Sequence, residues 1–307
     1  MSKKPNDDGV HAPVSKEPKE DFESGAGGAS VGEDRGDERP IGVFDSGVGG
    51  LTVLDEMMTL LPQEHFIYFG DTARFPYGPR SIDEVTRFAL QIMDYMVGQD
   101  VKMLVIACNS MTAAYEKSIR KSQVPVIGVI EPAVRAAVRA THNRKIGVLG
   151  TKATISSGEY ERALQRTKSN VEIHAQICAG FVEHVEAGDT FSQELFGLAE
   201  EYLAPLLASG VDTLILGCTH YPLLRGVLHS VTRGEVELIS SADEVAKDLY
   251  ATLVELNLLR RVREVGTRRF IVSGDPEQFR KVGSRFLAGL SSVEGMAWPV
   301  REAVGGA

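Results

Sequence analysis

LVIACNSMTAA, residues 104–114, and LILGCTHYPLL, residues 214–224, are one device written twice: a short apolar run that delivers a cysteine into a polar turn. Cys108 and Cys218 therefore stand at equivalent places, 110 residues apart. A second echo supports duplication. RPIGVFDSG from Arg39 and RKIGVLGTK from Arg144 repeat Ile-Gly-Val at an offset of 105. The apolar runs are short and nearly continuous, the pattern of strands covered on both faces, as in a parallel sheet.

Nine such runs punctuate the chain from Ile41 onward: IGVF (41–44), FIYFG (66–70), MLVIA (103–107), PVIGVI (125–130), KIGVLG (145–150), VEIHAQI (171–177), TLILG (213–217), VELIS (236–240) and RFIVSG (269–274). Amphipathic stretches separate them. In Ile82 to Val97 the apolar Ile82, Val85, Phe88, Ala89, Ile92, Met93 and Met96 recur at helical spacing, and Ser192 to Ala208 reads as a second helix. Strands alternating with helices of this length predict βαβ units and a doubly wound α/β fold. Residues 1–40 differ from everything after them. They carry 6 basic and 10 acidic side chains, many Gly, Ser and Pro, and one aromatic, Phe22. Such a segment buries too little apolar area to offset its ordering entropy, so a disordered acidic tail is expected.

The chain has 307 residues, enough for two domains with a core each. Its net charge of −9 argues against a nucleic-acid partner or an anionic membrane surface, either of which calls for a basic footprint. A small polar substrate fits better. Three cysteines, widely spaced and without a C-x-x-C pair, give neither a disulfide framework nor a zinc or redox motif, so reduced thiols are expected. The opening MSKKPNDDGV has no apolar signal region, and no later stretch has the roughly 18 uninterrupted apolar residues of a membrane span, so a cytoplasmic location is expected.

In a doubly wound sheet, ligands sit beyond the carboxyl ends of the strands. Polar residues with chemistry stand there: Asp45-Ser46-Gly47, Asp71-Thr72, Cys108-Asn109-Ser110, Thr151, and Cys218-Thr219-His220. An ordinary thiol is only about 3% thiolate at pH 7, but a strand-to-helix turn favours the anion. Asn109, Ser110 and Thr219 are expected either to cap the following helices or to donate to a carboxylate. His220 can serve Cys218 as a proton relay or a cation, and Asp45 reads as an acid/base neighbour or a simple cap. Cys178 reads as a small hydrophobe. RFPYG (74–78) reads either as a loop that closes Tyr77 over a ligand or as a structural turn. FDSGVGGLTVL, a glycine-rich turn into a helix, lacks the Lys-Ser/Thr of a P-loop and the G-x-G-x-x-G spacing. Two thiols on opposite sides of one cleft can take a proton from one face of a carbon while returning one to the other, which is what racemisation requires.

FDSGVGG, GDTARFPYG, ACNS, LGTKAT and LGCTHYPLL, in this order and spacing, closely resemble the glutamate racemases of the aspartate/glutamate racemase superfamily, from about Ile41 to Phe286. The resemblance implies two pseudo-symmetric doubly wound α/β domains, residues 41–136 with 241–300 and residues 137–240, with the active site between them. It implies a cofactor-independent, metal-free enzyme making D-glutamate for peptidoglycan. Cys108 and Cys218 would be the acid/base thiols, with Asp45 assisting the first and His220 the second. Asp45, Ser46, Tyr77, Gly78, Asn109, Ser110, Thr219 and His220 would line the glutamate site, with Thr151 and Thr154 as further candidates, and Glu186 matches an acid near the second thiol. Three departures stand out, the first being the acidic tail of about forty residues, which has no counterpart in the family's minimal form. Ser110 replaces a common threonine, and CAGFVEHVE replaces an apolar, proline-containing segment around Glu186. Some relatives dimerise, so a homodimer is among the expected partners.

Three rival readings compete. Aspartate racemase and the hydantoin racemase or maleate isomerase enzymes share the paired cysteines, but Cys218-Thr219-His220-Tyr221-Pro222 favours glutamate. A thiol phosphatase needs C-x5-R, whereas the sixth residue after Cys108 is Ala114 and after Cys218 is Leu224, with Arg225 one place too far. A non-catalytic ligand sensor would not need both thiols.

Overall fold

The duplication visible in the sequence becomes a repeated sheet in the computed structural model, which describes residues 34–118 and 122–298. The strands are β1 (Ile41–Asp45), β2 (Phe66–Gly70), β3 (Met103–Ile106), β4 (Val126–Gly128), β5 (Lys145–Gly150), β6 (Glu172–Ile177), β7 (Thr213–Gly217), β8 (Glu237–Ser240), β9 (Arg268–Val272) and β10 (Glu294–Gly295). They form two parallel sheets, ordered β10-β9-β2-β1-β3-β4 and β6-β5-β7-β8. Within the first, β2-β1-β3-β4 repeats the order of the whole second sheet, and helices cover the strands as a doubly wound fold requires.

The repeat extends to single atoms. Gly42 of β1 pairs with Leu104 of β3, and Gly147 of β5 with Leu214 of β7. A Cβ on Gly42 would lie 2.8 Å from Leu104 Cδ2, 2.9 Å from Met96 Cε and 3.2 Å from Val101 Cγ1. On Gly147 it would lie 2.3 Å from Leu214 Cδ2, 3.4 Å from Leu206 Cδ1 and 3.5 Å from Val211 Cγ2. Leu104, Met96 and Val101 correspond to Leu214, Leu206 and Val211 at the same offset of 110 as the two cysteines. Each glycine thus admits the helix before its neighbouring strand: Ile82–Val97 in one half, Gln193–Ala208 in the other. Both helices have 16 residues and begin at a serine whose hydroxyl accepts a backbone N–H, Ser81 from Glu84 and Ser192 from Leu195.

Some expectations change. VEIHAQI is not buried on both faces; β6 is an edge strand with exposed Glu172, Ala175 and Ile177. β4 is also an edge strand and only half-buried. β10 is two residues long, too short for any periodicity to reveal. The expected disordered tail falls outside the described residues over 1–33, but ordered structure begins before Ile41. Gly36 forms an antiparallel bridge with Arg260, and the buried Lys102 donates to Asp37 O and Leu258 O, both at 2.7 Å. Lys102 also pairs with Glu64 at 2.6 Å, both side chains fully enclosed. Removing one member would strand the other's charge, the costly way to break a buried pair.

The chain crosses between the sheets twice. It leaves the first after β4 through the helix Ile130–Ala140, and returns after β8 through the helix Ser241–Glu255, which packs against both Leu51–Leu60 and Ile130–Ala140 before β9 joins β2. Among the described residues, no helix is long and apolar enough to cross a membrane.

Two glycines separate packing from propensity. Gly147→Ala is expected to destabilise by about 1–3 kcal/mol through overpacking against Leu214. Gly197→Ala, exposed in a helix with nothing within 4 Å of the added methyl, is expected to stabilise by about 0.5–1 kcal/mol. Urea denaturation of the two variants measures both signs.

Candidate active site

Four equivalent strand ends meet at one cavity of about 240 Å³. β1 ends at Asp45, β3 leads into Cys108, β5 into Thr151, and β7 into Cys218. Ser46, Tyr77, Gly78, Cys108, Asn109, Ser110, Thr151, Thr154, Cys218, Thr219 and His220 line the cavity. Asp45 and Glu186 do not line it; they stand behind Cys108 and His220.

The glycine-rich turn after β1 brings the two halves together. A Cβ on Gly49 would lie 2.3 Å from Thr219 Oγ1 and 2.5 Å from His220 Nδ1, so only glycine lets this turn seat on the second cysteine's segment. Thr52 Oγ1 donates to Thr219 O at 3.3 Å across the same contact.

Around Cys108 the field is acidic. Its Sγ lies 3.7 Å from Ser46 Oγ. Asp45 is fully buried; its Oδ2 accepts from Gly50 N at 3.0 Å and Gly47 N at 3.2 Å, while Oδ1 has no partner. Burial raises the Asp45 carboxyl above its ordinary range, and burial together with the Asp45 charge raises the Cys108 thiol. Cys108 is thereby held as a thiol.

Around Cys218 it is basic. Cys218 Sγ lies 3.8 Å from His220 Nδ1, and His220 Nε2 lies 2.8 Å from Glu186 Oε1. Burial works against charge on the imidazole, but hydrogen bonds to Cys218 and Glu186 outweigh it and hold its pKa up at about 10. His220 is thus an imidazolium at neutral pH, with Phe75 and Phe286 packed beside its ring at 6.1 and 5.5 Å.

Asn109 Oδ1 accepts from Tyr160 OH at 2.8 Å, while its buried Nδ2 has no partner. An unmatched buried N–H donor on a cavity wall suits an anion. Ser110 Oγ lies 3.0 Å from Thr151 Oγ1 and 3.1 Å from Thr154 Oγ1, joining the halves through hydroxyls. These bonds correct the expected capping. Cys108 itself, not Asn109 or Ser110, sits at the N-cap of the helix Asn109–Lys117, and no side chain caps it. The second cysteine leads only into a 3₁₀ turn, Tyr221–Leu224, with His220 rather than Thr219 at its start; the α-helix Arg225–Val231 follows. Pro222, at the first helical positions, fits this tight start. Tyr77 is buried, its hydroxyl donating to Asp71, and Gly78 O accepts from Ala153 N at 2.8 Å, so RFPYG is a fixed wall.

Lys152 and Phe75, which the sequence did not single out, and Cys178, read there as a small hydrophobe, also line the cavity. Cys178 follows β6 as Asp71 follows β2, so the strand-end rule that found the other residues would have found it. Among the described residues, no three His, Cys, Asp or Glu side chains converge as a metal-binding set.

The profile of the Asp/Glu/Hydantoin racemase family matches residues 41–249. A glutamate racemase of Acidothermus cellulolyticus is 52% identical over 250 residues, spanning 81% of this chain and 95% of that one. The chain belongs to the glutamate racemases of this family. The crystal structure of a Bacillus anthracis glutamate racemase isoform superposes with a TM-score of 0.80 at 38% identity, covering 86% of this chain and 99% of that one. A Francisella tularensis glutamate racemase, solved in complex with D-glutamate, superposes with a TM-score of 0.77 at 36% identity over 85% and 98% of the two chains.

The His220 pair has a direct readout. In ring-edited NMR titration His220 is expected to deprotonate near pH 10, and in Glu186→Gln at lower pH, because a neutral amide no longer stabilises the imidazolium. Since the folded pKa lies above the unfolded one, this group's contribution to stability is full below about pH 6.5 and is lost as pH rises through about 10. An unchanged titration in Glu186→Gln would break the assignment.

Proposed function

We propose that the chain interconverts L- and D-glutamate with two thiols and no cofactor, Cys218 removing the α-proton of L-glutamate and Cys108 that of D-glutamate. One observation carries this reading. Two cysteines at equivalent strand ends of a duplicated sheet line one cavity, with an imidazolium beside one and a carboxyl beside the other. The halves that contribute them are residues 41–136 with 241–300, and 137–240.

From L-glutamate, the Cys218 thiolate breaks the Cα–H bond and becomes a thiol. The electron pair flows into the α-carboxylate, where the unpartnered Asn109 Nδ2 donates to the accumulating charge. The Cys108 thiol then protonates the opposite face and is left a thiolate. The reverse reaction exchanges these roles. His220, held cationic, stabilises the thiolate on its side, and Asp45, whose affinity for a proton is raised by burial, takes the Cys108 proton when that thiol must become the base. The hydroxyls of Ser46, Ser110, Thr151, Thr154 and Thr219 and the wall at Tyr77 and Gly78 hold the carboxylates. The product supplies D-glutamate for peptidoglycan in the cytoplasm.

Coupled assays for D-glutamate test this directly. Cys108→Ser and Cys218→Ser are each expected to lose racemisation by at least 10²–10⁴-fold, since every turnover needs one thiol and one thiolate. Full activity in either rejects the mechanism, and a wild-type preference for aspartate would transfer the reading to a sister enzyme of the family.

The helpers are expected to act asymmetrically. Asp45→Asn should slow solvent-deuterium exchange into D-glutamate and His220→Asn into L-glutamate, each by about 10²–10⁴-fold, with the equilibrium constant unchanged. Equal loss of both exchanges in both variants would make these residues substrate ligands. Activity is also expected to survive a chelator and a carbonyl reagent, and to be lost to thiol alkylation unless glutamate protects.

A further inference from the structure

The mechanism leaves one buried carboxylate beside the cavity without a task. Asp71, fully enclosed at the carboxyl end of β2, takes four donors from three separate stretches of chain. Its Oδ1 accepts from Ser273 Oγ at 2.6 Å, just beyond β9, and from Trp298 Nε1 at 2.8 Å, at the end of the described chain. Its Oδ2 accepts from Arg74 Nε at 2.5 Å and from the Tyr77 hydroxyl. Arg74 is itself held: its guanidinium lies 4.1 Å from the Phe88 ring and 4.2 Å from the Trp298 ring, and its Nη1 donates to Gln91 Oε1 at 2.6 Å, while its buried Nη2 has no partner. Arg80 fastens the same loop by donating to Arg74 O at 2.8 Å and Pro76 O at 3.1 Å.

The loop so held is the cavity wall at Phe75, Tyr77 and Gly78, which reaches Thr151 and Ala153 of the other half. Folding alone gives little reason for a charge here, because a buried ion pair is often no more stable than apolar residues of its volume. What the carboxylate adds is direction. It fixes two loop side chains and two distant anchors to one point, the support a wall needs when a misplacement of about 0.5 Å costs function.

We propose that Asp71 is a positioning residue of the racemase, acting through the Tyr77 hydroxyl and Arg74 to set the substrate-facing wall, with Ser273 and Trp298 orienting its carboxylate. The proposal rests on the glutamate-racemase reading. A wall that touches substrate equally in ground and transition states governs KM rather than kcat. Asp71→Asn is therefore expected to raise KM for glutamate about 10-fold, with kcat within about 3-fold of wild type. Tyr77→Phe, which keeps the ring and removes the hydroxyl, is expected to raise KM similarly. The double variant should match the larger single effect instead of multiplying the two, because both act through one bond. Trp298→Phe removes one donor while keeping a ring against Phe69 and Arg74, and is expected to raise KM by about 3-fold with an unchanged melting temperature.

The experiment is steady-state glutamate racemisation by the full chain and these four variants, each checked by thermal melting. An inactive wild type overturns the racemase reading. An active wild type with unmoved KM in a folded Asp71→Asn, or with multiplicative effects in the double variant, overturns the positioning role alone. Should Asp71→Asn fail to fold, Tyr77→Phe and Trp298→Phe decide: wild-type KM in both overturns the proposal.

Discussion

The cavity depends on how closely the turn after β1 approaches the turn after β7. Gly49 has no room for a side chain because Thr219 and His220 occupy the space a Cβ would need. That contact turns two independent sheets into one site: it presses the strand-end residues of one half toward those of the other and presents the two thiols to a common interior. The hydroxyl cluster of Ser110, Thr151 and Thr154 makes a second bond across the same seam. Ser110 joins the halves without capping its helix, whereas Thr151 both caps Lys152–Ser156 and reaches across.

The duplication sets the scaffold, and its imperfections supply the chemistry. Symmetric surroundings would give two equivalent thiols, whereas each half-reaction needs one proton donor and one acceptor. A buried carboxyl behind Cys108 and an imidazolium–carboxylate pair behind Cys218 break the equivalence by charge. Asp45 and His220 are buried, so each acts on its thiol with little screening, while Glu186 is partly exposed. The cationic His220 survives burial because hydrogen bonds to Cys218 and Glu186 outweigh the loss of solvent.

Much of this was legible in the sequence because burial on both faces leaves a strong signature. Nine apolar runs matched nine strands, and the strand-end rule reached the cysteines, Asp45, Thr151 and His220 at once. The failures share a cause. The edge strand β6, the two-residue β10 and the docking of Arg35–Pro40 depend on contacts made far away in the chain, which local composition does not encode. Capping propensity misled at Asn109 and Ser110 because their side chains found partners across the seam, Tyr160 in one case and two threonines in the other. Asp71 stood in plain view at a strand end, but its weight lay in Ser273 and Trp298, about two hundred residues downstream.

The double crossing of the chain between the halves has a kinematic consequence. In hinge movements a few loop or element-terminal residues absorb the change in backbone angle, so two passages must flex together where one would flex alone. Here they are the passage from β4 into Ile130–Ala140 and the return from β8 into Ser241–Glu255, and the second helix is clamped against elements of both halves. Gly49 against Thr219 and His220, and Ser110 against Thr151 and Thr154, close the seam between the two passages. The two thiols are thus kept in register by chain connectivity and by side-chain contact alike.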